Sequence, residues 1–323
     1  MPGSRWLVLL AATCLAATCL GGAITATAQS LSRSVSDDGL PRVLAYPQSG
    51  RMLPSHPGTG RPAAATGGAG QAEFGARAET AQEVWALWAL QGVEPPVGRQ
   101  SIIGPDERIR VRETTAFPFR ATVLITFGAG RCSGWLISPD TVVTSGHCVH
   151  SGGPWGDWYD RNSYMIYPGR DGPRAPFGSC SARRLFSVVG WTERGRDDFD
   201  YGAIKLNCTI GFSTGWFGLF TASGSLQGVP TRIAGYPGDK PLTLWRSSGR
   251  VTVSQPRRVF YRNDTVGGMS GSPVYYQRAG CGFCAMAVHG YGIYGRPPFS
   301  TNNHGTRITA QVFRNLDAWR LNP

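Results

Sequence analysis

A serine flanked by glycines lies in the second half of the chain. The segment Asp264-Thr-Val-Gly-Gly-Met-Ser-Gly-Ser-Pro273 places Ser270 between Gly268 and Gly271. A serine hydroxyl is a weak nucleophile, which needs a base to take its proton and donors to hold the oxyanion that forms. Glycines let the chain turn tightly and let a ligand approach main-chain N–H groups. The segment predicts a nucleophile turn with an oxyanion hole formed by the N–H groups of Gly268 and Ser270. A glycine-rich surface hairpin is the alternative.

Two residues of the first half could activate this serine. His147 follows an apolar run and precedes Cys148, and an imidazole pKa near ~6.5 suits proton transfer at neutral pH. Asp200 opens the apolar segment 201–206, where a partly buried carboxylate could orient the imidazole. A strand-capping role is the alternative for Asp200. Three further histidines are predicted to lie in the N-terminal segment or in polar loops: His56, His150 and His304.

The elements that must position these residues are predicted to be mostly strands. Charged residues are few (16%) and the 44 glycines are many, which is typical of a loop-rich β protein. From Ser101 to about residue 308, short apolar runs alternate with Gly, Pro and Asn turns, a pattern that predicts a barrel or a sandwich. The candidate strands are 120–127, 134–137, 141–144, 187–190, 201–206, 231–235, 250–253, 272–276 and 286–289.

Near the C-terminus the apolar residues recur with a helical spacing and no longer with that of strands. Val312, Phe313, Leu316 and Trp319 recur on one helical face, and Thr309 is the expected N-cap. We therefore predict an α-helix over about 310–321 that docks on the β body.

The N-terminal hundred residues divide into two segments. Residues 1–28 predict a secretory signal peptide, because a charged start precedes an apolar run that ends in a small-x-small site. A membrane anchor is the alternative. Residues 29–100 are rich in Pro, Gly, Ala, Ser and Thr, and apart from the apolar patch 84–90 they offer little to bury. They predict a propeptide, with a flexible linker as the alternative, and a secreted protein.

The cysteines fit such an exported protein. Two of the eight, Cys14 and Cys19, lie in the predicted signal peptide, and the six that remain allow fifteen pairings. One pairing set follows from spacing and elimination: Cys132–Cys148 would close a strand-turn-strand span, Cys281–Cys284 a small loop, and Cys180–Cys208 would pair last. For Cys281-Gly-Phe-Cys284 a redox or metal motif is the alternative, but the sequence lacks a second ligand pair.

The net charge of +12 is interpreted as a solubility feature, with attraction of acidic substrates as the alternative. The basic residues are scattered without a long run, so a nucleic-acid partner has little support. We expect no cofactor, no metal, no membrane partner and a monomer.

Together these segments resemble the trypsin-like serine peptidases, and within them the bacterial glutamyl endopeptidases. The order His147, Asp200, Ser270 is that of the chymotrypsin type of triad. The resemblance covers residues 101–323 and rests on Thr-Ser-Gly-His147-Cys, Asp200-Tyr-Gly-Ala-Ile, Gly-Tyr-Pro-Gly-Asp239-Lys, the segment 264–273, Ala-Val-His289 and Gly-Thr-Arg-Ile-Thr309.

The resemblance implies an all-β fold of two six-stranded antiparallel β-barrels with a C-terminal α-helix, the active site lying between the barrels. On this reading residues 101–323 form the peptidase domain, with the first barrel over about 116–215 and the second over about 216–308. His147 and Asp200 would lie on the first barrel and Ser270 on the second.

The resemblance also implies the substrate. Glutamyl endopeptidases bind an acidic P1 side chain, the one preceding the cleaved bond, through a histidine and a threonine, and His289 and Thr265 match those positions. Ser101-Ile-Ile-Gly104 resembles the start of the mature enzyme, whose free α-amino group would lie near the same pocket. We therefore expect a serine endopeptidase for protein or peptide substrates with Glu, less readily Asp, at P1, and with its own propeptide as a partner. The alternatives are another P1 preference, or a binding protein on an inactive protease scaffold.

Overall fold

The structure is a computed structural model and describes residues 30–39, 52–61 and 101–322. The predicted signal peptide, the patch 84–90 and Gln100 lie outside these residues, as does most of the predicted propeptide. No helix within the described ranges combines the length and the apolar character that a membrane crossing requires.

The described residues form short strands, two of them in the predicted propeptide. In chain order they are β1 (Ser34–Ser36), β2 (Met52–Leu53), β3 (Ile109–Arg110), β4 (Thr122–Phe127), β5 (Gly130–Ser138), β6 (Thr141–Thr144), β7 (Met165–Pro168), β8 (Cys180–Val188), β9 (Gly202–Leu206), β10 (Gly218–Phe220), β11 (Pro230–Gly235), β12 (Trp245–Ser254), β13 (Arg258–Tyr261), β14 (Pro273–Arg278), β15 (Gly282–Tyr291) and β16 (Asn303–Arg307). Between residues 101 and 322 the α-helical segments are α1 (Val189–Thr192), α2 (Gly211–Thr214) and α3 (Ala310–Leu321), beside a few 3-10 turns.

Six strands close the first barrel. Antiparallel pairs join β4 to β5, β5 to β6, β6 to β9, β9 to β8, β8 to β7, and β7 back to β4. Alternate side chains of β4 face different cores: Val123 and Ile125 lie inside this barrel, whereas Leu124 lies in a second core shared with the rest of the molecule. Because both faces of the strand are covered there, its centre, 123–125, is a continuous apolar run.

Six more strands close the second barrel. Here antiparallel pairs join β11 to β12, β12 to β13, β13 to β16, β16 to β15, β15 to β14, and β14 back to β11. Its interior is lined by residues such as Ile233, Val259 and Val274. The predicted fold of two six-stranded antiparallel barrels followed by a C-terminal helix is confirmed.

The C-terminal helix α3 returns to the first barrel. The side chain of Thr309 accepts a hydrogen bond from the N–H of Val312 and caps the helix, and Val312, Phe313, Leu316 and Trp319 are buried in the shared core. The apolar face of the helix thus packs where the two halves of the chain meet.

Some local predictions were wrong. The candidate strand 187–190 covers only the end of β8, because Val189 and Gly190 begin the helical segment α1. His304 was predicted in a polar turn but lies fully buried in β16, and His150 is also buried. Within β16, His304 lies between Asn303 and Gly305, so the sequence of this strand shows no apolar alternation.

Three disulfides join cysteines of the described residues. Cys132–Cys148 links β5 to the turn after β6, Cys180–Cys208 links the start of β8 to the segment after β9, and Cys281–Cys284 closes a small loop at the start of β15.

Candidate active site

His147 and Asp200 are brought together by neighbouring strand ends. His147 lies in a short helical turn, Gly146–Cys148, directly after β6, and Asp200 precedes β9. Strands β6 and β9 pair antiparallel with Thr144 opposite Gly202, so the two segments leave the sheet side by side. The main-chain N–H of His147 donates to Asp200 Oδ1 at 2.8 Å, and His147 Nδ1 lies 2.6 Å from Asp200 Oδ2.

This pair fixes the state of the imidazole. Asp200 is fully buried, whereas 19% of the His147 side chain is exposed. Burial alone would lower the pKa of His147, but the charge of Asp200 and its hydrogen bond outweigh burial and raise that pKa. With Nδ1–H donated to the carboxylate, Nε2 faces away from Asp200 and can accept a proton.

Ser270 lies in the turn between β13 and β14 and is held against the first barrel. Its carbonyl oxygen accepts a hydrogen bond from the N–H of Ser133 in β5 at 2.8 Å. The same oxygen lies 3.9 Å from the Sγ atom of Cys148, the neighbour of His147. The turn that carries the serine is therefore fixed next to the segment that carries the histidine.

Two glycines of this turn have left-handed backbones. Gly268 has φ +90° and Gly271 has φ +86°, which other residues rarely adopt. A Cβ atom at Gly271 would lie 2.1 Å from Thr144 Oγ1 and 2.2 Å from the carbonyl oxygen of Ser133. Because there is no room for a side chain, the two barrels can approach this closely only through a glycine.

The main-chain donors of the turn fall into two groups. The N–H of Met269 donates to Val266, and that of Gly271 donates to His289. Among the residues that the structure describes, no acceptor takes the N–H of Gly268 or of Ser270. These two donors are therefore available to an oxyanion.

A loop of the second barrel supports the turn from behind. The N–H of Gly238 donates to the carbonyl oxygen of Gly267 at 2.6 Å. The next residue, Asp239, accepts two hydrogen bonds from the Arg108 guanidinium, at 2.9 and 2.7 Å. Arg108 also binds Asp106, and only 2% of its side chain is exposed. The loop is thus tied to the segment 101–108.

That segment lies against the residues just before Ser270. Asp264 Oδ1 accepts the N–H of Ile103 and Oδ2 accepts that of Glu107, both at 2.8 Å. Ser101 forms a bridge with Thr265, and its carbonyl oxygen accepts a bond from Asn303 Nδ2 at 2.7 Å. Ser101 and Thr265 are both buried.

Thr265 and His289 offer unused polar atoms in this barrel. The Oγ1 atom of Thr265 is buried and has no hydrogen-bond partner among the described residues. His289 Nδ1 lies 2.8 Å from the hydroxyl of Tyr261, and no described residue bonds its Nε2 atom. Burial, aided by the nearby His147 and opposed by Asp200, lowers the pKa of His289 to about 3, so its ring is neutral at neutral pH.

The structure adds residues that the sequence did not single out. Ser133 Oγ donates to the carbonyl oxygen of Gly268 at 2.9 Å and accepts the N–H of Tyr236 at 2.8 Å. Ser145 Oγ donates to the carbonyl oxygen of His289 at 2.8 Å. Both serines join the two barrels at the site. Ser145 stands two residues before His147 and could have been noticed, but Ser133 carries no local signal.

Comparisons with known proteins agree with this geometry. Residues 132–281 match the family described as trypsin-like peptidase domain. The chain is 44% identical over 232 residues to a glutamyl endopeptidase of Bacillus licheniformis, covering 70% of this chain and 71% of that protein. A solved structure described as Glu endopeptidase in complex with MPD superposes with a TM-score of 0.59 at 29% identity, covering 68% of this chain and 100% of that one.

Another relative has a name that implies a metal. A Bacillus subtilis protein called extracellular metalloprotease is 39% identical over 238 residues, covering 71% of this chain and 72% of that protein. In this chain Cys132, His147 and Cys148 bring possible ligand atoms within 4.8 Å of one another. The two sulfur atoms are joined in a disulfide and His147 Nδ1 is bonded to Asp200, so these residues do not fit a metal ion.

Proposed function

Because the chain belongs to the glutamyl endopeptidase family of trypsin-like serine peptidases, we propose that it cleaves peptide bonds after Glu and, less readily, after Asp. It is a serine endopeptidase, and its substrates are proteins or peptides. The observation that carries the proposed specificity is the buried, unpartnered hydroxyl of Thr265 in the barrel that also holds a neutral, buried His289.

In the proposed reaction Ser270 attacks the carbonyl carbon of the scissile bond. His147 Nε2 takes the hydroxyl proton and delivers it to the leaving amine, and Asp200 holds the ring and stabilises its cationic form. A water molecule activated by the same histidine then hydrolyses the acyl-enzyme. The two hydrogen bonds from His147 to Asp200 support this assignment.

We assign the oxyanion hole to the N–H groups of Gly268 and Ser270. Their lack of partners among the described residues supports this role, because donors that are already placed need no rearrangement when charge develops. In such sites the loss of one donor typically raises the barrier by ~2.7–4 kcal/mol.

The acidic P1 side chain would be bound by neutral donors. A buried carboxylate must be hydrogen-bonded, and a buried hydroxyl without a partner is costly, so Thr265 and a carboxylate would satisfy each other. The arriving charge would also raise the pKa of His289 from its low value and favour a cationic ring.

Cleavage of four peptides that differ only at P1 (Glu, Asp, Gln and Leu) tests the specificity. We expect kcat/KM for Glu to exceed that for Gln by about 10²-fold, the equivalent of two charge-assisted hydrogen bonds. Thr265→Val should reduce the preference for Glu over Gln about tenfold and leave cleavage after Leu unchanged. Equal cleavage after Gln or Leu would show a different P1 preference.

A fluorophosphonate probe tests the nucleophile separately. It should label the processed protein, and Ser270→Ala should abolish labelling without loss of the fold. Labelling that survives Ser270→Ala would show that another residue is the nucleophile.

We also propose that the enzyme is secreted as a monomer, that residues 1–28 are removed, and that the chain is then cut between Gln100 and Ser101, which separates the propeptide 29–100 from the peptidase domain. The cleavage that frees Ser101 would place a new α-amino group beside Thr265, since Ser101 and Thr265 form a backbone bridge. N-terminal sequencing of the secreted protein tests the boundary. A form that begins one or two residues before Ser101 should be less active on Glu peptides, and equal activity would remove the role of this amine.

A further inference from the structure

Two short segments of the predicted propeptide lie on the folded chain as added strands. β1 pairs antiparallel with β8 of the first barrel, and β2 pairs antiparallel with β10 in the connection between the barrels. The catalytic proposal uses neither segment.

The first segment fills a strand edge that the barrel leaves open. β8 pairs with β7 only at Cys180 and Ser181, whereas its other edge pairs with β9 as far as Phe186. β1 therefore occupies the free edge at 186–188. Hydrogen bonds continue the ladder at both ends, from the N–H of Val189 to Arg33 at 3.0 Å and from the N–H of Asp37 to the carbonyl oxygen of Leu185 at 3.2 Å.

Side chains add to this first anchor. Asp37 Oδ1 accepts the N–H of Leu185 at 3.0 Å, and its Oδ2 atom lies 3.1 Å from Arg161 Nη1. The helix α3 takes part as well: Asn315 Nδ2 donates to the carbonyl oxygen of Ser32 at 2.9 Å. Residues 30–39 thus bind a strand of the first barrel and the helix that follows the second.

The second segment binds where the barrels are connected. Leu53 lies opposite Leu219 of β10, a strand that also pairs with β15 of the second barrel. The His56 ring stacks on Trp216 at 4.3 Å, and the main chains of these two residues exchange hydrogen bonds at 2.9 and 2.8 Å. The N–H of Ser55 donates to Cys281 of the second barrel at 2.8 Å.

The first barrel also reaches this second segment. The guanidinium of Arg120, which precedes β4, donates to the carbonyl oxygen of Pro57 and to that of Thr214. The anchor at 52–61 therefore contacts the first barrel, the second barrel and the connection between them.

We propose that residues 30–39 and 52–61 form a two-point brace that holds the two barrels together and stays bound as part of a separate peptide after processing. The proposal rests on the processing between Gln100 and Ser101 suggested above. Each anchor is a short ladder and would bind weakly alone, but residues 40–51 tether the two. A short tether gives the second anchor an effective concentration in the millimolar range, so the pair can bind far more tightly than either. The added-strand mode fits an extended peptide.

Size-exclusion chromatography of a cut protein tests this brace. The protein prepared for this test begins at residue 29 and carries Ser270→Ala. A recognition sequence for a site-specific protease is inserted immediately before Ser101. After cutting, at about 1 µM protein, we expect mass spectrometry to find the N-terminal peptide in the protein peak. Elution of the intact peptide on its own would overturn the proposal.

Two proline variants identify the contacts. Val35 stands between the bonded positions 33 and 37 of the antiparallel ladder, so its N–H faces β8, and Val35→Pro removes that donor. His56→Pro removes the N–H bonded to Trp216 together with the stacked ring. Each should raise the dissociation constant at least about tenfold, and the double variant should release the peptide and lower the thermal midpoint of the remaining protein.

Arg33→Ala is the matched control, because it removes only an exposed ion pair with Glu193, 3.7 Å long. Proline variants that hold the peptide as tightly as Arg33→Ala does would contradict the proposal.

If the proline variants fail to fold, hydrogen exchange on the cut protein without these substitutions tests the brace instead. The amides of Leu185 and Val189 should exchange more slowly with the peptide present than after its removal in urea, and equal rates would refute the brace. Neither readout needs peptidase activity, so a wrong P1 assignment would not affect them.

Discussion

His289 and His304 are both buried histidines, but only one of them has a polar partner in the described structure. Both ring nitrogens of His304 are buried without a hydrogen-bond partner there. Its ring stacks on that of Tyr291 with 5.2 Å between the ring centroids, and the centroids of Phe260 and Phe299 lie at similar distances. Burial, with smaller contributions from Arg258 and His289 and opposed by Asp197, lowers the pKa of His304 to about 3.

This low pKa predicts acid sensitivity. An unfolded histidine takes up a proton near pH ~6.5, whereas folded His304 does so only near pH 3, so the unfolded chain binds more protons between these values and stability falls as pH falls. Each proton that only the unfolded chain binds lowers the free energy of unfolding by ~1.4 kcal/mol per pH unit. The free energy of unfolding should therefore be about 2 kcal/mol lower at pH 5 than at pH 7 or above.

His304→Phe should remove that part of the pH dependence, because phenylalanine keeps an aromatic ring in the aromatic surroundings and has no proton to gain. Urea unfolding of the variant and its parent between pH 4.5 and 8, both carrying Ser270→Ala to prevent self-digestion, measures the effect. Parallel stability curves for the two proteins would contradict the prediction.

At the scale of elements, the loop 236–240 links the segment that starts at Ser101 to the turn that carries Ser270. Asp239 binds Arg108 through both carboxylate oxygens, and the adjacent Gly238 donates to Gly267. The placement of the proposed oxyanion donors should therefore depend on the ion pair between Asp239 and Arg108.

Asp239→Asn should lower kcat about tenfold with little change in KM, because donors aimed at the oxyanion act mainly in the transition state. Steady-state kinetics on a Glu peptide measures this effect. Asp106→Asn is the control: it weakens the other partner of Arg108 but leaves the loop bonded, so its kcat should stay within about twofold. Equal losses of kcat in the two variants would show that kcat depends on Arg108 and not on the loop.

What the sequence could predict at this scale was local. The helix α3 showed its period and its N-cap within a dozen residues, and the turn around Ser270 showed its glycines. The partners of Asp264 lie 161 and 157 residues away along the chain, so no spacing pointed to them, although Asp264 stood in the segment first singled out. His304 was misplaced because barrel closure, rather than local polarity, decides which residues of β16 are buried.

For the whole molecule, helix α3 joins the end of the chain to the first barrel. Trp319 is 2% exposed, stacks on Phe186 of β8 at 5.6 Å and donates from Nε1 to Ser34 Oγ at 2.7 Å. The last helix therefore secures the second half of the chain to the first half and to the N-terminal segment.

Trp319→Ala should destabilise the protein by about 3–5 kcal/mol, the usual cost of truncating a buried aromatic residue. Leu321→Ala on the same helix, where the side chain is 49% exposed, should change stability by less than about 0.5 kcal/mol. Guanidinium unfolding of both variants in the Ser270→Ala background gives the comparison. A loss for Trp319→Ala no greater than that for Leu321→Ala would show that the helix does not secure the barrels.

The hydrogen bond from Ser133 to the carbonyl oxygen of Ser270 crosses from one barrel to the other. The turnover rate should therefore depend on whether the two barrels are docked against each other. Mild denaturant that loosens the contact between the two barrels should lower turnover before circular dichroism reports loss of the sheets. Recovery on dilution would then follow the rate of re-docking and not the rate at which either half refolds.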